Sequence, residues 1–271
     1  MGEVRRPAVA GMFYPEDVKA LRDVLREFLG SMETGVEAPK AIIVPHAGYI
    51  YSGPVAATAY RALAKAREEI RRVVLLGPSH RVSFEGLALS SAKYFATPLG
   101  RIRIDHQAYG TIQDLPQVQV LDAAHAMEHS LEVHLPFLQV VLDDFSLVPI
   151  VVGEASPREV SEVLERLWDG PPTRFVISSD LSHYHDYQTA RRLDQATSQA
   201  IEDLRFEDIG YGDACGRNPV NGLLHLARVH GMRAKTLDLR NSGDTAGSRE
   251  QVVGYGAYAF EEVLAGVTDR R

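Results

Sequence analysis

Three apolar runs in this sequence end in residues that can bind a metal ion or transfer a proton. The runs and the residues that follow them are AIIV (41–44) with His46, VVLL (73–76) with His80, and RFVIS (174–178) with Asp180 and His183. In open α/β sheets, ligands bind beyond the carboxyl ends of the strands, because the loops converge there. The sequence therefore predicts one crevice shared by several histidines, although any one of them alone is more often an ordinary loop residue.

The segment HAMEHSLEVHLPFLQVVL (125–142) adds further acidic and imidazole groups. A helix here would place Glu128, His129 and Glu132 on one face, since residues three and four apart are neighbours. Pro136 would then kink this helix or begin a new one. The spacing differs from the H-E-x-x-H of zinc proteases. An ordinary amphipathic helix with solvated side chains is the alternative interpretation.

A carboxylate is the donor that would complete a metal site with two imidazoles. The polar turn at 241–244 ends in Asp244, which is a candidate anionic ligand, and Glu250 is its rival. Cys215, in DACGRNPV, indicates a different chemistry, that of a thiolate whose pKa is lowered by the helix start, but a small residue that caps a helix is the favoured interpretation. Two imidazoles and one carboxylate are the donors of non-haem Fe(II) oxygenases, and the same set can hold Zn²⁺.

The remaining polar groups of the crevice suit proton transfer and orientation. A histidine side chain titrates close to neutral pH, which makes His183 or His185 a candidate for acid–base catalysis. Asp180 could orient an imidazole by accepting its N–H. The sequence contains no P-loop, no dinucleotide-binding glycine motif and no nucleophile-elbow motif. A metal site is therefore better supported than these alternatives.

Alternating apolar runs and amphipathic stretches indicate which elements position these residues. The expected strands lie at 41–44, 73–76, 87–90, 147–152, 174–178, 234–239 and 252–260, and the expected helices at 16–30, 54–70, 157–168, 187–204 and 219–230. This alternation predicts an α/β fold with helices on both faces of a mostly parallel or mixed sheet. We expect a single three-layer αβα domain over residues 1–271. The segment 93–105 predicts an antiparallel hairpin at the edge of the sheet.

Composition limits the classes of partner and compartment. The net charge is −7 and the basic residues are scattered, which disfavours nucleic acid and anionic membranes as partners. The sequence contains a single cysteine, so it cannot form an intramolecular disulfide. No apolar run reaches the roughly 18 residues of a membrane span, and the first residues lack the core of a signal peptide. These features predict a cytoplasmic protein.

Taken together and in this order, the motifs resemble those of the Memo family, whose prokaryotic members are called system protein B of the AmmeMemoRadiSam set. The resemblance extends from about residue 5 to residue 262 and rests on RPAVAGMFYP, VPHAGYIYSG, LLGPSH, EHSLEVHLPFLQ, SSDLSHY, CGRNPV and SGD…VVGYGAYAF. The family is similar in fold to the LigB-type, class III extradiol dioxygenases, which cleave catechol-like rings with Fe(II). The resemblance therefore implies a LigB-like fold.

The resemblance also implies roles for individual residues. It places metal-ligand roles on His46 and His80 and an active-site role on His183, while Asp180 and His129 fall in motifs that line the same pocket. Animal Memo proteins supply a cysteine as third ligand from the C-terminal turn. This sequence has Asn-Ser-Gly-Asp there, so Asp244 is the expected third ligand. Fe(II) is the expected metal, with copper or zinc as alternatives.

Two functions from different classes follow from the resemblance. The first is a non-haem Fe(II)-dependent redox enzyme, similar to a dioxygenase, that acts on a small-molecule substrate. The second is a non-catalytic metal- or peptide-binding module. In either case, the resemblance implies a radical-SAM enzyme and an Ammecr-type protein as partners. Fold alone does not identify a substrate.

Overall fold

A computed structural model describes residues 2–30, 38–170 and 172–263. The strands in these ranges are β1 Val4–Arg5, β2 Ala41–Val44, β3 Arg72–Pro78, β4 Leu87–Leu89, β5 Tyr94–Thr97, β6 Gly100–Arg103, β7 Val118–Val120, β8 Ser146–Val152, β9 Thr173–Ser178, β10 His183–His185, β11 Arg233–Asn241 and β12 Val252–Glu261. The α-helices are α1 Val18–Leu29, α2 Tyr49–Leu63, α3 His106–Tyr109, α4 Asp122–Ala126, α5 Leu135–Val141, α6 Pro157–Arg166, α7 Tyr187–Glu202 and α8 Arg217–Val229. Short 3₁₀ turns occur at Ala64–Ala66, Glu132–His134, Phe206–Asp208 and Ser242–Asp244.

A large mixed sheet forms the centre of the fold. Its strand order is β10-β12-β2-β9-β3-β8-β4-β7, and β11 pairs with β12. The central strands β2, β9, β3 and β8 are parallel, whereas β4 and β12 run antiparallel to their neighbours β8 and β2. All residues of β2, β3 and β8 are buried, as expected for parallel strands covered on both faces. This burial explains why these strands appear in the sequence as continuous apolar runs.

Helices flank this sheet in two groups. Helices α1, α2 and α5 pack on one another, and α2 contacts β2 and β12. Helix α6 packs on α8, which contacts β3 and β9. Helix α6 begins at a capping box in which Ser156 and Glu159 bond reciprocally to each other's backbone amides. The αβα arrangement predicted from the sequence is confirmed. Among the described residues, no helix is both long and apolar enough to cross a bilayer.

The hairpin predicted at 93–105 is present, but it belongs to a separate sheet. Strands β5 and β6 are antiparallel, and β1 pairs in parallel with β5, so the three form a small sheet of their own. Pairing of β1 with β5 joins residues about 90 positions apart, with Val4 opposite Tyr94. The hairpin is therefore held by the N-terminal segment, which the local pattern could not indicate.

The segment 125–142 does not form the single helix considered in the sequence analysis. Helix α4 ends at Ala126, and Glu128 and His129 lie in an irregular stretch before the 3₁₀ turn Glu132–His134. Pro136 lies in the first turn of α5, so it marks a new helix rather than a kink. Glu128 and Glu132 consequently point to different partners and do not share a helical face. The carboxylate of Glu128 is bonded to backbone amides within this stretch, which favours the irregular conformation.

Candidate metal centre

Three strand-end loops meet around one cavity of about 890 Å³. Because β2, β9 and β3 are parallel neighbours, their carboxyl ends lie side by side. The ionisable side chains that line this histidine cavity are His46, His80, His129, Asp180, His183, His185 and Cys215. Aromatic side chains cover much of the remaining wall, namely Phe13, Tyr51, Tyr184, Tyr211 and Tyr255. The structure thus brings histidines from all three strand ends to one place.

His46 is buried and is held in one tautomer by Ser178. The Ser178 hydroxyl donates to the carbonyl of Ser130 at 2.7 Å, so it must accept the hydrogen bond from His46 Nδ1 at 2.5 Å. His134 Nε2 donates to the same hydroxyl at 2.9 Å. With its proton on Nδ1, His46 has a free lone pair on Nε2. Burial, and then the neighbouring imidazoles, lower the pKa of His46 well below its usual value, so the ring is neutral.

His80 is oriented by Glu128 in the same way. Its Nδ1 lies 2.8 Å from Glu128 Oε1, and its backbone amide donates to Oε2 at 2.6 Å. Burial raises the pKa of Glu128, but the hydrogen bonds and the nearby imidazole of His80 outweigh it and bring the pKa to about 2. An ionised carboxylate only accepts, so Nδ1 of His80 carries a proton and Nε2 is the nitrogen left for a metal ion. A carboxylate behind a ligating imidazole is a common support in metal sites.

Cys215 lies beside the free nitrogen of His46. Its Sγ is 3.3 Å from His46 Nε2, and since the ring proton is on Nδ1, the thiol is the donor. Burial, and then the negative charge of Asp180, raise the pKa of the Cys215 thiol. Without a cation the sulfur therefore keeps its proton. A metal ion would displace that proton, because the thiolate is the ligating form.

Gly216 allows the start of α8 to approach the end of β9. A Cβ at Gly216 would lie 2.4 Å from the carbonyl oxygen of Ser178 and 2.7 Å from Cβ of Ser179. The Gly216 amide instead donates to Ser179 Oγ at 2.9 Å. This close approach brings Cys215 to His46, although the two are 169 positions apart in the chain.

His46, His80 and Cys215 together form a candidate metal-binding set. Each offers one donor atom, and these atoms lie within 4.8 Å of one another. Two imidazoles and a thiol that ionises on coordination suit a divalent transition metal. The donors come from rigid strand ends and a helix start, and both imidazoles are fixed by hydrogen bonds. The residues present therefore fit a metal ion.

The donor atoms of His80, Glu128 and His129 also lie within 4.8 Å of one another. The carboxylate of Glu128 is already occupied, since it accepts from His80 Nδ1 and from the backbone amides of His80, His129 and Ser130. A metal ion on Glu128 would have to displace these bonds. Glu128 is therefore better suited to support His80 than to bind a metal directly.

Asp244, the expected third ligand, does not line the histidine cavity. Its Oδ1 accepts from the Tyr187 hydroxyl at 2.6 Å, and its Oδ2 accepts from the Asn241 amide at 3.1 Å. Asp244 closes a 3₁₀ turn and lines a different surface cavity, on the side of α7. The residue that lies beside the two histidines is Cys215.

The other predicted site residues lie around the histidine cavity with distinct contacts. Asp180 Oδ1 accepts the His46 backbone amide at 2.7 Å, so it holds the loop and does not orient an imidazole as expected. Burial raises the pKa of Asp180 to about 7. The His129 ring stacks on His80 with centroids 4.6 Å apart, and burial lowers the pKa of His129 to about 4. His183 lies in β10, and burial lowers its pKa.

Ser178 and Glu128 are the supporting residues that the sequence analysis did not identify as such. Ser178 is the last residue of β9, directly before the Ser-Asp pair of the motif, and Glu128 directly precedes His129. A polar residue directly after the apolar run FVI (175–177) is a signal that could have indicated Ser178. The partner of Glu128, His80, is 48 positions away, which no local pattern shows.

Replacing Glu128 by glutamine should weaken Zn²⁺ binding by about 10- to 100-fold, the usual cost of losing a partner behind a ligating histidine. His80 would lose the charged acceptor that fixes its tautomer and ring orientation. Competition with a chromophoric chelator measures the affinity, and Glu162→Gln, on the exposed surface of α6, is the control. An unchanged affinity in Glu128→Gln would contradict the role given to His80.

Comparison with known proteins identifies similar chains. The model of the family described as Memo-like protein matches residues 5–259. A MEMO1 family protein of Aquifex aeolicus is 36% identical over 263 residues, covering 93% of this chain and 97% of that protein. MEMO1 family proteins of Ignicoccus hospitalis and Metallosphaera sedula are 37% and 34% identical, covering 95% of this chain each and 98% and 99% of those proteins.

Proposed function

The chain belongs to the Memo family, and from the donor set of its histidine cavity we propose that it is a metal-dependent redox enzyme that binds Fe(II) through His46, His80 and Cys215. The observation that carries this proposal is the fixed tautomer of both imidazoles. Ser178 accepts a hydrogen bond from Nδ1 of His46, and Glu128 accepts one from Nδ1 of His80. The Nε2 atom of each ring is therefore the one that can bind a metal ion. A hydrogen-bond acceptor behind the second ring nitrogen is the usual support of a ligating histidine.

Three protein ligands leave further coordination positions open, as in catalytic rather than structural sites. Bound there, Fe(II) would supply one-electron redox chemistry and positions open to a substrate. Thiolate is a softer ligand than carboxylate, which makes copper and zinc the competitors of iron at this site. The histidine cavity, at about 890 Å³, is large enough for a small organic substrate.

The residues around the proposed ligands suit binding and proton transfer. His183 lines the cavity without belonging to the donor set, and as a neutral imidazole it can accept a proton from a bound substrate. His129 stacks on His80 and packs at a tilt against Phe13, which restricts its ring to the cavity wall. Tyr51 and Tyr255 add aromatic surface to which a planar substrate can bind.

Metal analysis of anaerobically purified protein tests the proposal. We expect close to one iron per chain in the wild-type protein, loss of iron in His46→Ala, and full retention in His106→Ala, whose histidine lies in α3 and outside the cavity lining. Oxygen uptake, measured with candidate small-molecule substrates, should require the iron.

Two results would change this assignment. Iron that is retained by His46→Ala would contradict the proposed ligand set. If His46→Ala loses iron as expected but the iron-loaded wild-type protein shows no oxygen-dependent turnover, the alternative of a non-catalytic module would be favoured. Such a module would bind a metal or a peptide and act with radical-SAM and Ammecr-type partners, which a pull-down from the native organism can detect.

A further inference from the structure

A second cavity, of about 380 Å³, adjoins the histidine cavity. His80, Tyr211 and Cys215 line both cavities, so two of the proposed metal ligands form part of the wall between them. The second cavity also contains the side chains of Arg81 and Arg217. A chemical group bound in it would therefore lie next to the proposed metal centre.

Arg217 is held in place but keeps an unused donor. Its guanidinium carbon lies 3.3 Å from the centroid of the Tyr211 ring, which fixes the plane of the guanidinium. Its Nε is buried, and no acceptor among the described residues lies within hydrogen-bond distance of it. Glu154 approaches no closer than 3.8 Å, at Arg217 Nη2, which is an ion-pair contact but not a hydrogen bond. A buried N–H without an acceptor is costly, but Nε is shielded from solvent, so a ligand in the cavity would bind Arg217 through its Nη atoms.

The charges in this cavity favour a monoanion. The charged side chains of its lining are Arg81, Arg217 and Glu154, which leave one positive charge in excess. One oxygen of the Glu154 carboxylate already accepts a hydrogen bond, because its Oε2 lies 2.7 Å from the Tyr211 hydroxyl, which donates to it. A planar carboxylate matches the fork of a guanidinium and can form two parallel hydrogen bonds with it. A phosphate dianion would place a second negative charge against Glu154.

We propose that this arginine recess, formed by Arg81, Glu154, Tyr211 and Arg217, binds the carboxylate of the substrate whose reactive end reaches His80 and Cys215. The substrate is then a small carboxylic acid. This inference rests on the proposed function, because it takes the metal centre as the reactive end of the site.

Paired probes measure the contribution of the carboxylate. Protein loaded with Zn²⁺ is titrated by calorimetry with the monohydroxamates of succinic, glutaric and adipic acid, in which the hydroxamate binds the metal. Each is compared with the alkyl hydroxamate of equal length, which lacks the carboxylate. We expect the best carboxylate probe to bind at least about 10-fold more tightly than its partner, as charge-assisted hydrogen bonds are worth more than neutral ones.

Variants assign this preference to Arg217. Arg217→Gln should abolish it, and Arg217→Lys should lose most of it, since lysine keeps the charge but not the planar fork. Arg228→Gln is the matched control, because Arg228 lies on the same helix, over the Phe206 ring and paired with Glu207, but outside the recess. Zinc content is measured for every protein, and it should not change in any of these variants.

The outcomes separate the recess from the metal centre. Equal affinities of the paired probes for zinc-loaded wild-type protein would overturn the arginine recess alone, as would a preference that survives in Arg217→Gln. Tighter binding of 3-phosphonopropanohydroxamic acid than of the succinic probe would overturn the carboxylate assignment in favour of phosphate. Wild-type protein that binds no metal would overturn the proposed function and, with it, this subsite.

Discussion

Replacing Cys215 by serine should remove most of the metal affinity, whereas replacing Asp244 by asparagine should leave it unchanged. The Cys215 sulfur lies 3.3 Å from His46 Nε2, while both oxygens of Asp244 are bonded to Tyr187 and Asn241. Loss of a residue behind a ligand already costs about 10- to 100-fold in affinity, so we expect the loss of a direct thiolate donor to exceed about 100-fold. Chelator competition with Zn²⁺ measures both variants under the same conditions.

The serine variant separates coordination from folding. Serine is close to cysteine in size, so the packing of the start of α8 against β9 should persist, and the metal-free proteins should have the same melting temperature. The metal-loaded proteins should differ, because a bound metal stabilises only the protein that holds it. Full affinity in Cys215→Ser, together with a loss in Asp244→Asn, would contradict the position of the third donor in this structure.

The sheet could be predicted from the sequence because its central strands are buried on both faces. Parallel strands covered by helices consist of apolar residues throughout, and β2 occupies the predicted range 41–44 without a change. Helix α2 was less predictable, since the expected range was 54–70 and the helix extends from Tyr49 to Leu63. The Tyr49 hydroxyl donates to the carbonyl of Val133, and its ring packs on Phe137. These tertiary contacts stabilise a helical turn that local preference did not indicate.

The histidines at the strand ends could be predicted for a topological reason. Neighbouring parallel strands have their carboxyl ends at one edge, so His46 and His80 had to approach each other once β2, β9 and β3 became adjacent. The proposed third donor could not be predicted in this way. Cys215 precedes a helix, and its position depends on how closely α8 approaches β9 at Gly216. A cysteine followed by glycine at a helix start was the available signal, and it also fitted an ordinary helix cap.

Glutamine at position 132 should lower the free energy of unfolding by about 3–5 kcal/mol, the usual cost of breaking a buried ion pair. Glu132 and Arg5 are both buried and form a direct ion pair. The Glu132 carboxylate also accepts from the amides of Ala8 and Val9, at 2.7 and 3.0 Å, and from the Tyr14 hydroxyl at 2.7 Å. The NH₂ group of glutamine would face some of these N–H and O–H donors, which it cannot accept. The charge of Arg5 would also be left without a partner.

Urea denaturation of the metal-free protein, followed by circular dichroism, measures this change as a lower midpoint. Asp143→Asn is the control, because Asp143 pairs with Arg67 on the surface, where ion pairs contribute little. A midpoint in Glu132→Gln equal to that of the wild type would show that the pair contributes nothing.

Loss of the Arg5–Glu132 ion pair should also affect the histidine cavity. Arg5 and Glu132 anchor the N-terminal segment, which also carries Phe13 in the cavity wall, with its ring centroid 4.7 Å from that of His129. A loosened segment would expose this wall to water and widen the cavity beside His80. In Glu132→Gln, metal binding should therefore persist, because none of the proposed ligands is on the segment, while the affinity for a substrate that contacts Phe13 falls. Retention of metal together with weaker probe binding would distinguish this effect from general unfolding, which removes both.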